Sequence, residues 1–112
     1  MTEEQTGDQL LKMLSALANP HRLRVLAALR ERRAYVSELA RELGMSRPLL
    51  HMHLQALEKA GLVVGHHEIS AEGKALRYYE VTDFAELLTP KRITEAVATL
   101  SLESKAKGKA GK

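Results

Sequence analysis

The stretch "VSELARELGMSRPLLHMHLQALEKAGLV", Val36 to Val63, constrains the fold more than any other part of the chain. Two apolar sets recur at helical spacing, Leu39, Ala40 and Leu43, then Leu50, Leu54 and Leu57, on either side of "GMS". Gly44 is placed to end the first helix in a left-handed conformation, and Ser46 to cap the second. Pro48 is tolerated in the first turn of that helix, and Gly61 closes it. Helices are therefore expected over 37–43, capped by Ser37, and over 47–60. Two short helices joined by a Gly-containing turn are the signature of a helix-turn-helix.

The flanks supply the remaining elements. Leu10, Leu11, Met13, Leu14 and Leu17 predict a helix over roughly 5–18. Asn19 is a good N-cap and Pro20 suits a first helical position, so a second helix runs over about 20–32. Its Leu23, Val25, Leu26, Ala28 and Leu29 make it apolar nearly all round, a helix for the middle of the fold. Tyr35-Val36 reads as a short extended link. "GLVVGHHEIS" and "ALRYYEVT" alternate with a period of two around "SAEGK", which predicts a β-hairpin. Asp83 with Glu86 suggests a brief capping box. Thr89-Pro90 starts a last helix over about 90–103, with Ile93, Val97 and Leu100 on one stripe. The expected fold is mainly α with a small β-hairpin, in the order α-α-α-α-β-β-α, a dimeric winged helix-turn-helix. One domain is expected over 1–104, with a disordered Lys-rich tail over 105–112.

Composition agrees. Apolar residues are 45% of the 112, but there is one Phe, three Tyr and no Trp, so Leu, Val and Ala must build the core. That favours helices over a sandwich. With no cysteine, disulfides and thiolate metal sites are excluded, and a reducing cytoplasm is the expected compartment. The acidic start carries no signal-peptide pattern, and no apolar run approaches the ~18 residues of a membrane span. The net charge of +3 is largely made by four lysines in "KAKGKAGK", residues 105–112. Charge alone therefore says little about nucleic acid, and the placement of the arginines matters more.

"SALANPHRLRVLAAL", "VSELARELGMSRPLLHMHLQALEKAGLV" and "RYYEVT" resemble the ArsR/SmtB group of small dimeric bacterial repressors, over roughly residues 10–82. The resemblance implies a DNA-binding dimer and makes His53 a structural feature of its helix. Metal sensors of that group carry a Cys-x-Cys pair where this chain has Ala40 and Glu42. Others use Asp and His ligands on the last helix, yet no histidine follows His67.

On the fourth helix, Leu50, Leu54 and Leu57 share one face with His53 at its margin. The opposite side, led by Ser46 and Arg47 and continued by Pro48, His51, Met52, Gln55 and Lys59, would enter a major groove. Arg47 suits guanine and Gln55 adenine. Lys74 and Arg77 near the hairpin tip would track phosphates as a wing. Tyr78 and Tyr79 face opposite sides, one of them in the core, and Arg30, Arg32 and Arg33 read as a solvated helix end. His51 and His53 diverge by about 200° and cannot close on one ion. His66 and His67 point to opposite faces of a strand. No cofactor is expected; a non-standard nickel or zinc site built across the dimer from His21, His66, His67 or the acidic N-terminus stays open. Leu10, Leu14, Leu17, Ile93, Val97 and Leu100 would form an isologous dimer interface. Nothing resembles a catalytic constellation.

The function expected is a cytoplasmic, sequence-specific transcriptional repressor that binds a pseudo-palindromic operator as a homodimer. An inducer or a separate sensing partner protein would supply the signal, and no membrane is involved. Two alternatives stand beside this reading: a nickel- or zinc-responsive sensor, and a winged-helix protein-interaction module that does not read DNA.

Overall fold

A computed structural model describes residues 5–101. The expected tail over 105–112 and the last residues expected in the final helix lie outside them. The elements are α1 (Gly7–Leu17), α2 (Pro20–Glu31), β1 (Ala34–Tyr35), α3 (Val36–Leu43), α4 (Arg47–Lys59), β2 (Val63–Ile69), β3 (Ala75–Val81) and α5 (Pro90–Val97). They fall into two units, Ala16–Phe84 and the residues before and after it. Among the described residues no helix is long and apolar enough to cross a membrane.

The Ala16–Phe84 unit is a winged helix-turn-helix. Its interior is made by Val25 and Leu29 of α2, Leu39 and Ala40 of α3, and Leu50, Leu54 and Leu57 of α4. Leu62, Val63 and Tyr79 complete it from the sheet side. Asn19 caps α2 by accepting the N–H groups of His21 and Arg22 at 2.9 and 3.2 Å. Expected to be buried nearly all round, α2 instead buries only the i, i+4 stripe of Val25 and Leu29, and Leu23 is 52% exposed. The arginines interleaved along it keep the remaining faces in water.

The expected hairpin gains a third strand. β1 pairs antiparallel with β3, Ala34 opposite Tyr79 and Tyr35 opposite Tyr78, giving the order β1-β3-β2. Val36 therefore opens α3 rather than belonging to an extended link. Ser37 sits inside the first turn of α3 and is not its cap; the Glu38 carboxylate accepts the Tyr35 N–H at 3.1 Å instead. β2 and β3 pair in register from Val63 opposite Val81 to Ile69 opposite Ala75. Gly65 faces Tyr79 there, and a β-carbon on Gly65 would stand 2.8 Å from the Tyr79 ring. Only glycine leaves room for that fully buried ring against β2.

The other unit joins α1 to α5. Gly7 approaches the Ala96 carbonyl so closely that any β-carbon would collide with it. The Gly7 N–H donates to Thr99 Oγ1, and the Ser101 N–H donates to Asp8 Oδ1 at 3.0 Å. Arg92, 8% exposed, donates through Nε to Glu86 at 2.9 Å and through a terminal nitrogen to the Gln5 carbonyl at 2.8 Å. Gln5 closes the triangle by donating to Glu86 at 3.2 Å. Glu86 is thus not half of a capping box with Asp83, and residues 82–89 form no helix. α5 ends at Val97, short of the expected 103. Its following N–H groups tighten to i−3 carbonyls, and the Thr99 hydroxyl turns back to donate to Ala96. Leu100 consequently lies beyond the helix.

Candidate nucleic-acid interface

The turn between α3 and α4 is three residues long. Gly44 adopts φ 63°, so its N–H reaches the Arg41 carbonyl while that of Met45 reaches Ala40. Ser46 is extended and its Oγ accepts the Leu49 N–H at 3.3 Å, leaving the hydroxyl proton available to an outside acceptor. Past Ser46 the helix divides cleanly. Leu50, His53, Leu54 and Leu57 are buried, whereas Ser46, Arg47, Pro48, Met52, Gln55 and Lys59 are exposed and His51 is half-buried at the margin. Leu49 is also exposed, at the edge of the same surface, where the helical-wheel reading had not assigned it.

His53 fixes how α4 is seated. The Arg22 Nε–H donates to His53 Nδ1 at 3.1 Å, and an Arg22 terminal nitrogen reaches the Ala16 carbonyl at 3.5 Å. With Nδ1 accepting, the ring is neutral and its proton is on Nε2, which has no partner among the described residues. Burial, then the Arg22 charge, then neighbouring His21 all hold the imidazole below its ordinary pKa of 6.5. His21 packs at 5.6 Å between ring centroids. Arg22 was not foreseen, because its partner lies 31 residues away and no local spacing announces it.

In the hairpin, Ser70 and Lys74 close the turn around Gly73 at φ 83°, and Lys74 is exposed beside the tip. Arg77 is only half-exposed because its guanidinium lies 5.4 Å over the Tyr79 ring. Tyr79 is core and Tyr78 is on the opposite face, as the alternation required. There Tyr78 carries stacked His66 at 4.8 Å and the Arg33 guanidinium at 4.5 Å, with Tyr35 edge-on at 5.7 Å. Arg33 is therefore packed against a ring rather than simply solvated. Tyr35 donates its hydroxyl to Glu68, which holds the phenol above its usual pKa.

The histidines proposed for a metal are dispersed. His21 lies beside His53, His66 is on Tyr78 with Glu80 at 3.8 Å, and His67 is opposite Arg77 on the other face. Among the described residues of one chain no group of three or more His, Cys, Asp or Glu side chains could hold a metal ion.

Of the residues expected at a dimer interface, Leu14, Ile93 and Val97 are exposed, Leu17 and Leu100 are intermediate, and Leu10 is buried within the single chain. Leu11, Leu87 and Leu88 add exposed apolar surface to the unit that holds Leu14, Ile93 and Val97.

The model of the bacterial regulatory protein arsR family matches residues 19–64. An HTH-type transcriptional regulator of Methanocaldococcus jannaschii is 40% identical over 76 residues, 67% of this chain and 78% of that one. The transcriptional activator HlyU of Vibrio cholerae is 33% identical over 85 residues, 76% of this chain and 79% of that one. Among solved structures, a possible transcriptional regulatory protein of Mycobacterium bovis (fragment 1–100) superposes with a TM-score of 0.59 at 26% identity. That match covers 88% of this chain and 92% of the other.

Proposed function

The chain belongs to the arsR family of bacterial regulatory proteins, and on that premise we propose that it is a homodimeric repressor of a pseudo-palindromic operator. Members of the family are DNA-binding transcriptional regulators, not enzymes. The observation that carries the finer reading is the division of α4. Its inner face is held by Leu50, Leu54, Leu57 and the Arg22–His53 bond, which leaves Ser46, Arg47, Pro48, Met52, Gln55 and Lys59 facing outward with His51 at the margin. A helix seated this way offers its N-terminal residues to base edges in the major groove. Arg47 suits bidentate contact with guanine and Gln55 with adenine, while Lys74 and Arg77 of the hairpin meet phosphates.

Dimerisation is read from the unit built on α1 and α5. Leu11, Leu14, Ile93 and Val97 leave apolar surface that a single chain does not cover. A two-fold partner buries it, with Leu17 and Leu100 at the margin and Leu10 beneath. Reading two half-sites then requires the two α4 helices of the dimer to lie about 34–36 Å apart, or a multiple of that. A dimer spanning an operator that overlaps a promoter excludes polymerase, which makes repression the natural outcome in the cytoplasm.

Light scattering at micromolar concentration should give the mass of two chains, and the protein should shift DNA from upstream of its own gene against excess unrelated DNA. Deleting the gene should raise expression from that promoter. A monomer, or a shift abolished by unrelated DNA, would contradict the reading; a fall in expression would make the protein an activator.

A further inference from the structure

We propose that a cleft between α2 and the end of β3 binds a small zwitterion with an apolar side chain, of the size of an α-amino acid, and that this ligand tunes DNA binding. The regulatory half of the proposal rests on the DNA-binding reading above; the binding half does not. The cleft has a volume of about 420 Å³, within the ~300–1,000 Å³ of small-molecule sites. Leu26 on one wall and Val81 and Phe84 on the other make it apolar, and Phe84 is left 38% exposed there.

Two opposite charges stand among the lining residues, Arg30 and Asp83. Neither has a hydrogen-bond or ion-pair partner among the described residues, and they do not pair with each other. An arginine on the α2 side and an aspartate on the β3 side of one cleft, with no ion pair between them, match a molecule that carries both charges. A simple acid would satisfy Arg30 and be repelled by Asp83, and a simple amine would do the reverse. A zwitterion gives its carboxylate to the fork of Arg30 and its ammonium to Asp83, while its side chain meets Leu26, Val81 and Phe84.

Both walls are fastened to the recognition helix. Thr82, in the β3 wall, donates its N–H to the Leu62 carbonyl at 3.0 Å and its hydroxyl to the Gly61 carbonyl at 2.8 Å, directly after α4. α2, the other wall, holds His53 of α4 through Arg22. A ligand that changes the spacing of these walls changes the seat of α4. It shifts DNA affinity to the extent that it favours one seating over the other.

The test uses the full chain, isotope-labelled for NMR and titrated with L-leucine, L-phenylalanine, 4-methylpentanoate and 3-methylbutylamine. The amino acids should move the resonances of Arg30, Thr82 and Asp83, and the lone acid and lone amine should bind about tenfold or more weakly, the loss of one charge-assisted bond. Arg30→Gln and Asp83→Asn, both at exposed positions, should weaken L-leucine binding to a similar degree while the remaining spectrum stays native. Saturating amino acid should change affinity for the upstream DNA by about fivefold or more. No movement at those three residues with either amino acid, or equal binding of the acid or the amine, overturns the site. Binding without a change in DNA affinity overturns the regulatory role. A protein that binds no DNA even without ligand refutes the DNA-binding reading and the regulatory role together, a result distinct from an empty titration.

Discussion

Arg22 Nε donates to His53 Nδ1 at 3.1 Å, so the start of α2 holds the buried face of α4 through one side-chain bond. His53→Ala removes a packed ring and the acceptor of a guanidinium. It should lower stability by about 1–3 kcal/mol. Arg22→Ala should cost a similar amount, and the double variant less than the two together, since both remove one interaction. Urea denaturation of the four proteins checks this; strict additivity would mean the bond contributes nothing.

The burial of His53, with the Arg22 charge beside it, makes stability depend on pH. Because the folded state holds His53 below 6.5, the unfolded chain binds more protons near and below that value. Stability therefore rises with pH, is fully present above 6.5, and is lost as pH falls through the folded pKa. Denaturation at about pH 7.5 and about pH 5 should show a larger loss in wild type than in His53→Gln, which has nothing to titrate. An equal loss in both would assign the acid sensitivity elsewhere.

Gly65 is the second fixed point of the wing. Gly65→Ala places a methyl against the buried Tyr79 ring, and overpacking of that kind costs about 1–3 kcal/mol. The melting temperature should fall measurably; an unchanged one would mean the ring has room to move.

Much of this was legible because particular residues punctuate the chain. Asn19, Gly44, Ser46 and Gly73 each do locally what their chemistry predicts, and the helix-turn-helix and hairpin follow from them. β1 was not legible: two residues carry no periodicity, and its partner Tyr78-Tyr79 lies far along the chain. The early end of α5 was hidden for a similar reason, since Thr99 leaves the helix to meet Gly7. On α4 the burial of His53 could be read from its wheel position, but its dependence on Arg22 could not. The roles of the outward residues rest on chemistry and placement together.

Arg92 shows what the terminal unit depends on. Its guanidinium is buried between Glu86 and the Gln5 carbonyl, and breaking such a pair costs about 3–5 kcal/mol. Arg92→Ala should lose about that much, and Arg92→Lys should rescue little, because an ammonium cannot reproduce the planar two-way contact. Because α5 carries Ile93 and Val97, light scattering should also show partial dissociation of the proposed dimer in this variant. A fully stable Arg92→Ala dimer would contradict this account of the unit.

On the proposed function, the exposed face of α4 reads DNA while its buried face only holds the helix in place. Fluorescence anisotropy with the upstream DNA, on wild type, Arg47→Ala, Gln55→Ala and His53→Ala, tests this most directly when paired with thermal melts. Arg47→Ala and Gln55→Ala should each lose about 1–3 kcal/mol of specific binding and relax the preference at one base position, with melting unchanged. His53→Ala should melt earlier and bind only as weakly as that loosening dictates. Full affinity in both exposed-face variants, or loss of binding confined to His53→Ala, would contradict the claim.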